Sequence, residues 1–161
     1  MKMCDGQVHR WFPMFFDLRQ WRVLVVGGGK IAQRRIQTLL EFEPGQLRIV
    51  AREVGSKVKE WQSLPGVEIC EREYCPEDLD GCRMVLAATD NPVLNQEIGA
   101  QCRKRGILVN VASDQTLCDF HFPGIAVNGP VTVGINAAGL DHRLARKTRE
   151  QIQELFTGKA P

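Results

Sequence analysis

The sequence has no apolar run approaching the roughly 18–20 residues that a membrane-spanning helix needs. Its first ten residues are polar and contain no apolar signal-peptide core. No five like charges are consecutive, and 21 Lys and Arg against 19 Asp and Glu give a net charge of +2 over 161 residues. These absences predict a cytoplasmic protein that acts neither at a membrane nor on nucleic acid.

The cysteines lack the C-x-x-C spacing of zinc and redox sites. Because intracellular thiols stay reduced, we expect six buried or incidental thiols and no metal site. They are Cys4, Cys70, Cys75, Cys82, Cys102 and Cys118.

Short, almost continuously apolar runs predict buried parallel strands. The length of 161 residues suits one domain with a small appendage, and a hydrophobic fraction of 43% is enough to bury a core. Helical patterns separate the runs, and a weaker strand at 67–70 and a helix at 57–63 complete the alternation. This order predicts an α/β fold, a Rossmann-type doubly wound parallel sheet. The main runs are Val23–Val26, Leu47–Ala51, Met84–Ala88 and Ile107–Val111.

The pattern changes after Asp114, so we place the boundary of the first domain there, at 1–114. Residues 115–161 read as a β-hairpin, with strands Phe120–Val127 and Val131–Asn136, followed by a helix over His142–Phe156. The hairpin and helix have too few apolar groups to fold alone, which predicts a homodimer. The expected buried face of the helix comprises Leu144, Thr148, Ile152 and Leu155.

A dinucleotide fingerprint, G-x-G-x-x-A, joins the first strand to the first helix. It reads Gly27-Gly28-Gly29-Lys30-Ile31-Ala32. Gly27 permits the tight turn, Gly29 lets the backbone approach a pyrophosphate, and Ala32 lets helix and strand approach closely. Backbone N–H groups at the helix start would face the phosphates. The alternative is a simple tight turn.

Polar residues at other strand ends should line the same site, because ligands bind beyond the carboxyl ends of parallel strands. Thr89 and Asp90 follow one strand, and Asn110 ends another; capping of helices and turns is the alternative role. Ala51 and Arg52 end the second strand, where an acidic residue would bind the ribose of NAD. Arg52 could instead meet a 2′-phosphate or lie in solvent, so NADP is not excluded.

Several segments in order resemble precorrin-2 dehydrogenase, the dehydrogenase–ferrochelatase module at the start of siroheme synthase. The resemblance covers residues 11–156. It rests on Phe12–Leu18, Val25–Ala32 with Arg34-Arg35, Ala87–Asp90 with Asn95, Gly106–Val111, and Cys118–Phe120 with Phe122-Pro123.

The resemblance implies NAD-dependent oxidation of the tetrapyrrole precorrin-2 to sirohydrochlorin. In bifunctional members it also implies insertion of Fe²⁺, giving siroheme. Residues 1–114 would then form the NAD(P)-binding Rossmann domain, and 115–161 a dimerisation and substrate-cleft segment.

The chain departs from the family where the catalytic base should lie. The family places an Asp three residues after the asparagine that ends strand five, and counting from Asn110 this position is Ser113. Asp114 is next, so we assign catalysis to Asp114 or to a water held by Ser113. The alternative is a degenerate relative that binds dinucleotide or tetrapyrrole as a chelatase, carrier or sensor.

A second departure lies in the loop before the last helix, which lacks the family's hydroxyl and glycine residues. Asp141 should cap this helix. Arg143 and Arg146, early in this helix, would suit the carboxylates of precorrin-2. The alternative is that these arginines belong to an ordinary solvated helix face. His121 or His142 could also bind a metal or haem iron, but His121 more simply faces solvent or a subunit interface. The residues assigned to substrate are Asn136, Ala137, His142, Arg143 and Arg146.

Overall fold

The protein, seen in a computed structural model, is described for residues 11–138 and 141–158. Its strands are β1 (Arg22–Val26), β2 (Gln46–Ala51), β3 (Val67–Glu71), β4 (Met84–Ala87), β5 (Leu108–Val111), β6 (Gly124–Asn128) and β7 (Val131–Ile135). Its α-helices are α1 (Lys30–Leu40), α2 (Ser56–Glu60), α3 (Pro92–Lys104) and α4 (His142–Phe156). Single 3₁₀ turns cover Trp61–Ser63, Pro76–Leu79 and Gln115–Leu117. No helix within the described residues is long and apolar enough to cross a membrane.

Five parallel strands form the main sheet, in the order β3-β2-β1-β4-β5. The predicted doubly wound sheet is therefore confirmed. The strand order reverses beside β1, and ligands of such sheets bind beyond the carboxyl ends of the strands at this point. Val23, Leu24 and Val25 of β1 are completely buried, as expected for a central strand covered on both faces.

Helix α3 begins as its sequence predicts. The side chain of Asn91 accepts hydrogen bonds from the N–H groups of Val93 (3.0 Å) and Leu94 (3.2 Å), and Pro92 occupies the first helical position. Ile98 and Cys102 then pack into the core. The helix is thus anchored at its start by a cap and along its length by an apolar stripe.

The described residues divide into two compact units, Phe16–Phe120 and a second unit that combines the chain's start with the segment from His121 onward. The predicted boundary at Asp114 lies earlier than this division. The reason is that the N–H of Asp119 donates to the Val109 carbonyl, and its carboxylate accepts from the Val109 N–H, both at 2.9 Å. These bonds tie the segment after Asp114 to β5.

The second unit contains the antiparallel hairpin of β6 and β7, with α4 packed on β6. The prediction that the first of these strands begins at Phe120 was wrong, because β6 begins at Gly124. The Phe120 carbonyl accepts a hydrogen bond from the Asn110 side chain at 2.8 Å. Pro123 lacks the N–H group that pairing with a neighbouring strand requires.

The predicted buried face of α4 was half wrong. Thr148 and Ile152 are partly buried, but Leu144 is 55% exposed and Leu155 is 64% exposed. A two-stranded hairpin covers only a narrow stripe of a helix, and both leucines lie beside that stripe.

A cluster of ion pairs around the buried Asp78 links the region after β3 to β2. Asp78 is only 1% exposed and accepts hydrogen bonds from two nitrogens of Arg72, at 2.6 and 2.9 Å, and from the Cys75 N–H at 3.0 Å. Arg48 of β2 lies 3.4 Å away. Burial raises the pKa of Asp78, but the hydrogen bonds from Arg72 and Cys75 outweigh it and lower the pKa to about 2.

We expect Asp78→Asn to lower the free energy of unfolding by about 2 kcal/mol at pH 7, because the buried side chain loses its charge-assisted hydrogen bonds from Arg72. The folded pKa is below the ordinary value of 3.8, so this stabilisation is complete above pH 3.8 and is lost as the pH falls towards 2. Urea unfolding from pH 2 to 7 measures this dependence of the free energy of unfolding on pH. Asp80→Asn, which alters an exposed pair with Arg105, is the control. Equal stability of wild type and Asp78→Asn at pH 7 would contradict the account.

Candidate functional site

The loop after β1 needs glycine at its first position. Gly27 has a φ of +125°, and a Cβ there would lie 2.3 Å from the carbonyl oxygen of Ala88. Its N–H donates to the Val50 carbonyl at 2.9 Å. The loop is therefore fixed between the ends of β2 and β4.

Gly28 is needed for a reason that the fingerprint does not give. A Cβ there would lie 2.1 Å from the carbonyl oxygen of Glu53, so the backbones touch with no room for a side chain. The fingerprint treats this position as variable. The available signal in the sequence was that this variable position is also a glycine, which makes three in a row. The loop thus packs against the segment after β2.

Gly29 has open space in front of it. Among the described residues, no atom beyond its chain neighbours lies within 4 Å of a Cβ built there, and Gly29 is the N-cap of α1 without a side-chain cap. The first N–H groups of a helix have no acceptor within the helix, so those of Lys30 and Ile31 are offered at this opening. Both side chains are exposed, whereas Ala32 is completely buried and lets the helix approach the sheet. A pyrophosphate fits this arrangement.

Charged residues flank the loop at neighbouring strand ends. Ala51 is buried at the end of β2, and Arg52 follows it with its side chain 67% exposed. The guanidinium Nη2 of Arg52 lies 3.8 Å from Oδ1 of Asp90, which follows β4. The structure therefore brings these predicted cofactor residues to the edge where Gly27–Gly29 emerges.

A buried amide joins the ends of β4 and β5. Asn95 of α3 is completely buried, and its Oδ1 accepts from the N–H of Thr89 at 3.0 Å and from its hydroxyl at 2.7 Å. Its Nδ2 donates to the Thr89 carbonyl at 3.1 Å and to Oγ of Ser113 at 3.3 Å. Sequence reasoning included Asn95 only in the resemblance and gave it no role. A buried amide beside an apolar helical stripe was the available signal.

The two predicted catalytic residues have different surroundings. Ser113 receives a hydrogen bond on Oγ, so its own hydroxyl hydrogen is directed elsewhere as a donor. Asp114 accepts from the hydroxyl (2.7 Å) and the N–H (2.9 Å) of Thr116 through Oδ1 alone. These hydrogen bonds lower the pKa of Asp114, which keeps it ionised at neutral pH. Within the part of the chain that the structure describes, its Oδ2 accepts no hydrogen bond.

Asn110 offers a buried acceptor near the end of β5. Its side chain is 4% exposed, and its Nδ2 donates to the Phe120 carbonyl at 2.8 Å. Its Oδ1 is buried without a hydrogen-bond partner among the described residues. An unpaired buried acceptor is costly, so a ligand donor such as a carboxamide N–H fits here. The glycine loop and this acceptor together fit a nicotinamide dinucleotide.

The residues assigned to substrate lie in the second unit. Oδ1 of Asn136 lies 3.2 Å from Nδ1 of His121, whose ring packs on Trp11 with centroids 4.0 Å apart. His121 precedes β6, so its predicted place on a strand was wrong. Within residues 11–138 and 141–158, no group of three or more His, Cys, Asp or Glu side chains could hold a metal ion.

The start of α4 carries the other predicted substrate residues. Asp141 caps the helix as expected, accepting from the Leu144 N–H at 2.8 Å. Arg143 is exposed, and Arg146 donates to Glu150 at 2.8 Å, one turn later. Ala137 is partly buried, and the side chain of His142 lies outside the described residues. The cofactor and catalytic residues thus share the first unit, and the substrate residues share the second.

The comparisons with known proteins agree with this geometry. The family model described as "Putative NAD(P)-binding" matches residues 14–124. The siroheme synthase of Photorhabdus laumondii is 41% identical over 146 residues, covering 91% of this chain and 31% of that protein. The siroheme synthase of Zymomonas mobilis is 37% identical with the same coverage. The chain therefore spans about a third of the length of the curated relatives that it matches.

The solved structure of SirC, precorrin-2 dehydrogenase, has a TM-score of 0.73 and 26% identity, covering 90% of this chain and 71% of that one. The resemblance predicted from the motifs is therefore confirmed. The chain belongs to the family described as "Putative NAD(P)-binding", and within it is similar to siroheme synthases and to precorrin-2 dehydrogenase.

Proposed function

We propose that this chain catalyses the NAD-dependent oxidation of precorrin-2 to sirohydrochlorin. The observation that carries the proposal is the glycine loop, which leaves the start of α1 open at Gly29. The siroheme synthases and the precorrin-2 dehydrogenase to which the chain is similar support this substrate. Cytoplasmic location is part of the proposal.

The residues of the first unit that would bind the cofactor lie at the carboxyl ends of neighbouring strands. The N–H groups of Lys30 and Ile31 would bind the pyrophosphate, and Asn110 would accept from the carboxamide through Oδ1. Arg52 and Asp90 would lie at the edge of the same site. Bound nicotinamide accepts a hydride, and the chain's residues provide binding and orientation.

Dehydrogenation removes a proton as well as a hydride from the macrocycle. We assign the proton to Oδ2 of Asp114, since Oδ1 is occupied by Thr116 and the group is ionised at neutral pH. Ser113, which stands where the resembling family has an Asp, would donate its hydroxyl hydrogen to the substrate or to a water. Asn95 would be the positioning residue for Ser113.

The siroheme synthase relatives support a second reaction, insertion of Fe²⁺ into sirohydrochlorin. Iron would enter as a substrate and bind the ring nitrogens, which would release their two N–H protons to the Asp114 carboxylate and to water. The serine at position 113 favours one competing function, a relative that binds dinucleotide or tetrapyrrole without oxidising it.

Assembly as a homodimer is the remaining part of the proposal. The second unit exposes large apolar side chains that a partner could cover, namely Phe12, Phe15, Val131, Leu144 and Leu155.

We expect Gly29→Ala to lower the affinity for NAD by more than about tenfold while the melting temperature stays near that of wild type. The new methyl group contacts none of the described residues beyond its chain neighbours but enters the space proposed for the pyrophosphate. Calorimetric titration and thermal unfolding measure both effects. Gly55→Ala is the matched control, because Gly55 is also an N-cap with open space at its Cβ position. Unchanged NAD affinity in Gly29→Ala would contradict the proposed site.

We expect Asp114→Asn to lower kcat for precorrin-2 oxidation by at least about a hundredfold, since the amide cannot accept the proton. Because the pKa of Asp114 is below its ordinary value of 3.8, the wild-type rate should not fall between pH 7 and 5 through this group. Anaerobic assays that follow NADH and macrocycle absorbance together test this. Glu97→Gln, on the exposed side of α3, is the control.

The same assay separates oxidation from binding alone. Wild-type protein that binds NAD but forms no sirohydrochlorin, with activity appearing in Ser113→Asp, would establish the competing function and overturn the dehydrogenase proposal.

We expect Leu155→Glu to convert a dimer into a monomer, because it places a charge in an apolar patch. Light scattering after size-exclusion chromatography reads the mass directly. Gln151→Glu adds the same charge at an exposed position of α4 and should leave the dimer intact. A monomeric wild-type protein at micromolar concentration would refute this assembly.

A further inference from the structure

An exposed ion pair crosses the end of the central strand. Arg52 follows β2 directly and Asp90 follows β4, and β1 lies between these strands in the sheet. The distance of 3.8 Å between Nη2 of Arg52 and Oδ1 of Asp90 therefore spans the carboxyl end of β1. The loop Gly27–Gly29 begins at that end, so the pair lies at the border of the proposed cofactor site.

This pair does little for the stability of the fold. The side chains of Arg52 and Asp90 are 67% and 89% exposed, and ion pairs in such exposed positions contribute little to stability. In the Arg72–Asp78 pair, by comparison, the carboxylate is buried, accepts from two nitrogens of Arg72 and also accepts from the Cys75 N–H. The two exposed charges are therefore available to act on a ligand.

The end of the second strand is where such sheets distinguish the two nicotinamide dinucleotides. A carboxylate there binds the 2′-hydroxyl of NAD, and an arginine accommodates the 2′-phosphate of NADP. This chain has the arginine, but Asp90 lies against its guanidinium. A 2′-phosphate would have to displace this carboxylate and would be repelled by it, whereas a hydroxyl meets neither obstacle.

We propose that the pairing of Arg52 with Asp90 makes the site select NAD over NADP. This inference rests on the proposed NAD-dependent function and identifies the residues that set the choice of dinucleotide. Asp90 pairs with the cation that follows β2, where a 2′-phosphate would bind, and its own negative charge opposes that phosphate. Selection therefore depends on a residue beyond β4, not on the acidic residue usually found after β2.

The test compares dissociation constants for NAD⁺ and NADP⁺ by calorimetry in wild type, Asp90→Asn, Arg52→Gln and the double variant. Wild type should prefer NAD⁺. Asp90→Asn should shift the NADP⁺ to NAD⁺ affinity ratio about tenfold towards NADP⁺, because the arginine becomes free to pair with phosphate. The double variant should lose that shift. Glu71→Gln, which breaks the exposed Lys59–Glu71 pair at 2.9 Å, should leave the ratio unchanged.

The outcomes separate this inference from the proposed function. An unchanged ratio in Asp90→Asn, a wild type that prefers NADP⁺, or an equal shift in Glu71→Gln would overturn the role of the pair while dinucleotide binding stands. A wild type that binds neither NAD⁺ nor NADP⁺ would overturn the proposed function itself.

Discussion

The site depends on backbone contacts that leave no room for a Cβ. Gly27 lies against the Ala88 carbonyl and Gly28 against the Glu53 carbonyl, so the loop after β1 is held between the segments that follow β4 and β2. This contact places the start of α1 in line with the strand ends. The helix can then offer free N–H groups at Gly29, the one glycine of the three with open space before it.

Polar side chains extend this fixed geometry along the sheet edge. Asn95 is buried beneath the ends of β4 and β5, and its four hydrogen bonds hold Thr89 and Ser113 in one network. Asp114 is held separately by Thr116, and only one of its oxygens is used. The division gives adjacent residues different chemistry, with a donating hydroxyl at Ser113 and an accepting carboxylate at Asp114.

The sheet, the order of its elements and the glycine loop could be predicted from the sequence, because buried parallel strands and a strand–glycine–helix junction leave local patterns. The role of Asn95 could not, since it depends on two strand ends that are distant in sequence. The contact of Gly28 with Glu53 is likewise set by packing between segments. The buried face of α4 was only half predicted, because periodicity gives an apolar stripe but not the rotation of the helix. The packing of α4 on the hairpin sets that rotation and leaves Leu144 and Leu155 exposed.

The measurement that tests the central claim most directly is a crystal structure of the protein grown with NAD⁺. The account predicts pyrophosphate oxygens about 2.9 Å from the backbone nitrogens at the start of α1, in front of Gly29, with the carboxamide reaching Oδ1 of Asn110. A dinucleotide bound elsewhere, or a loop whose N–H groups point away from the phosphates, would contradict it.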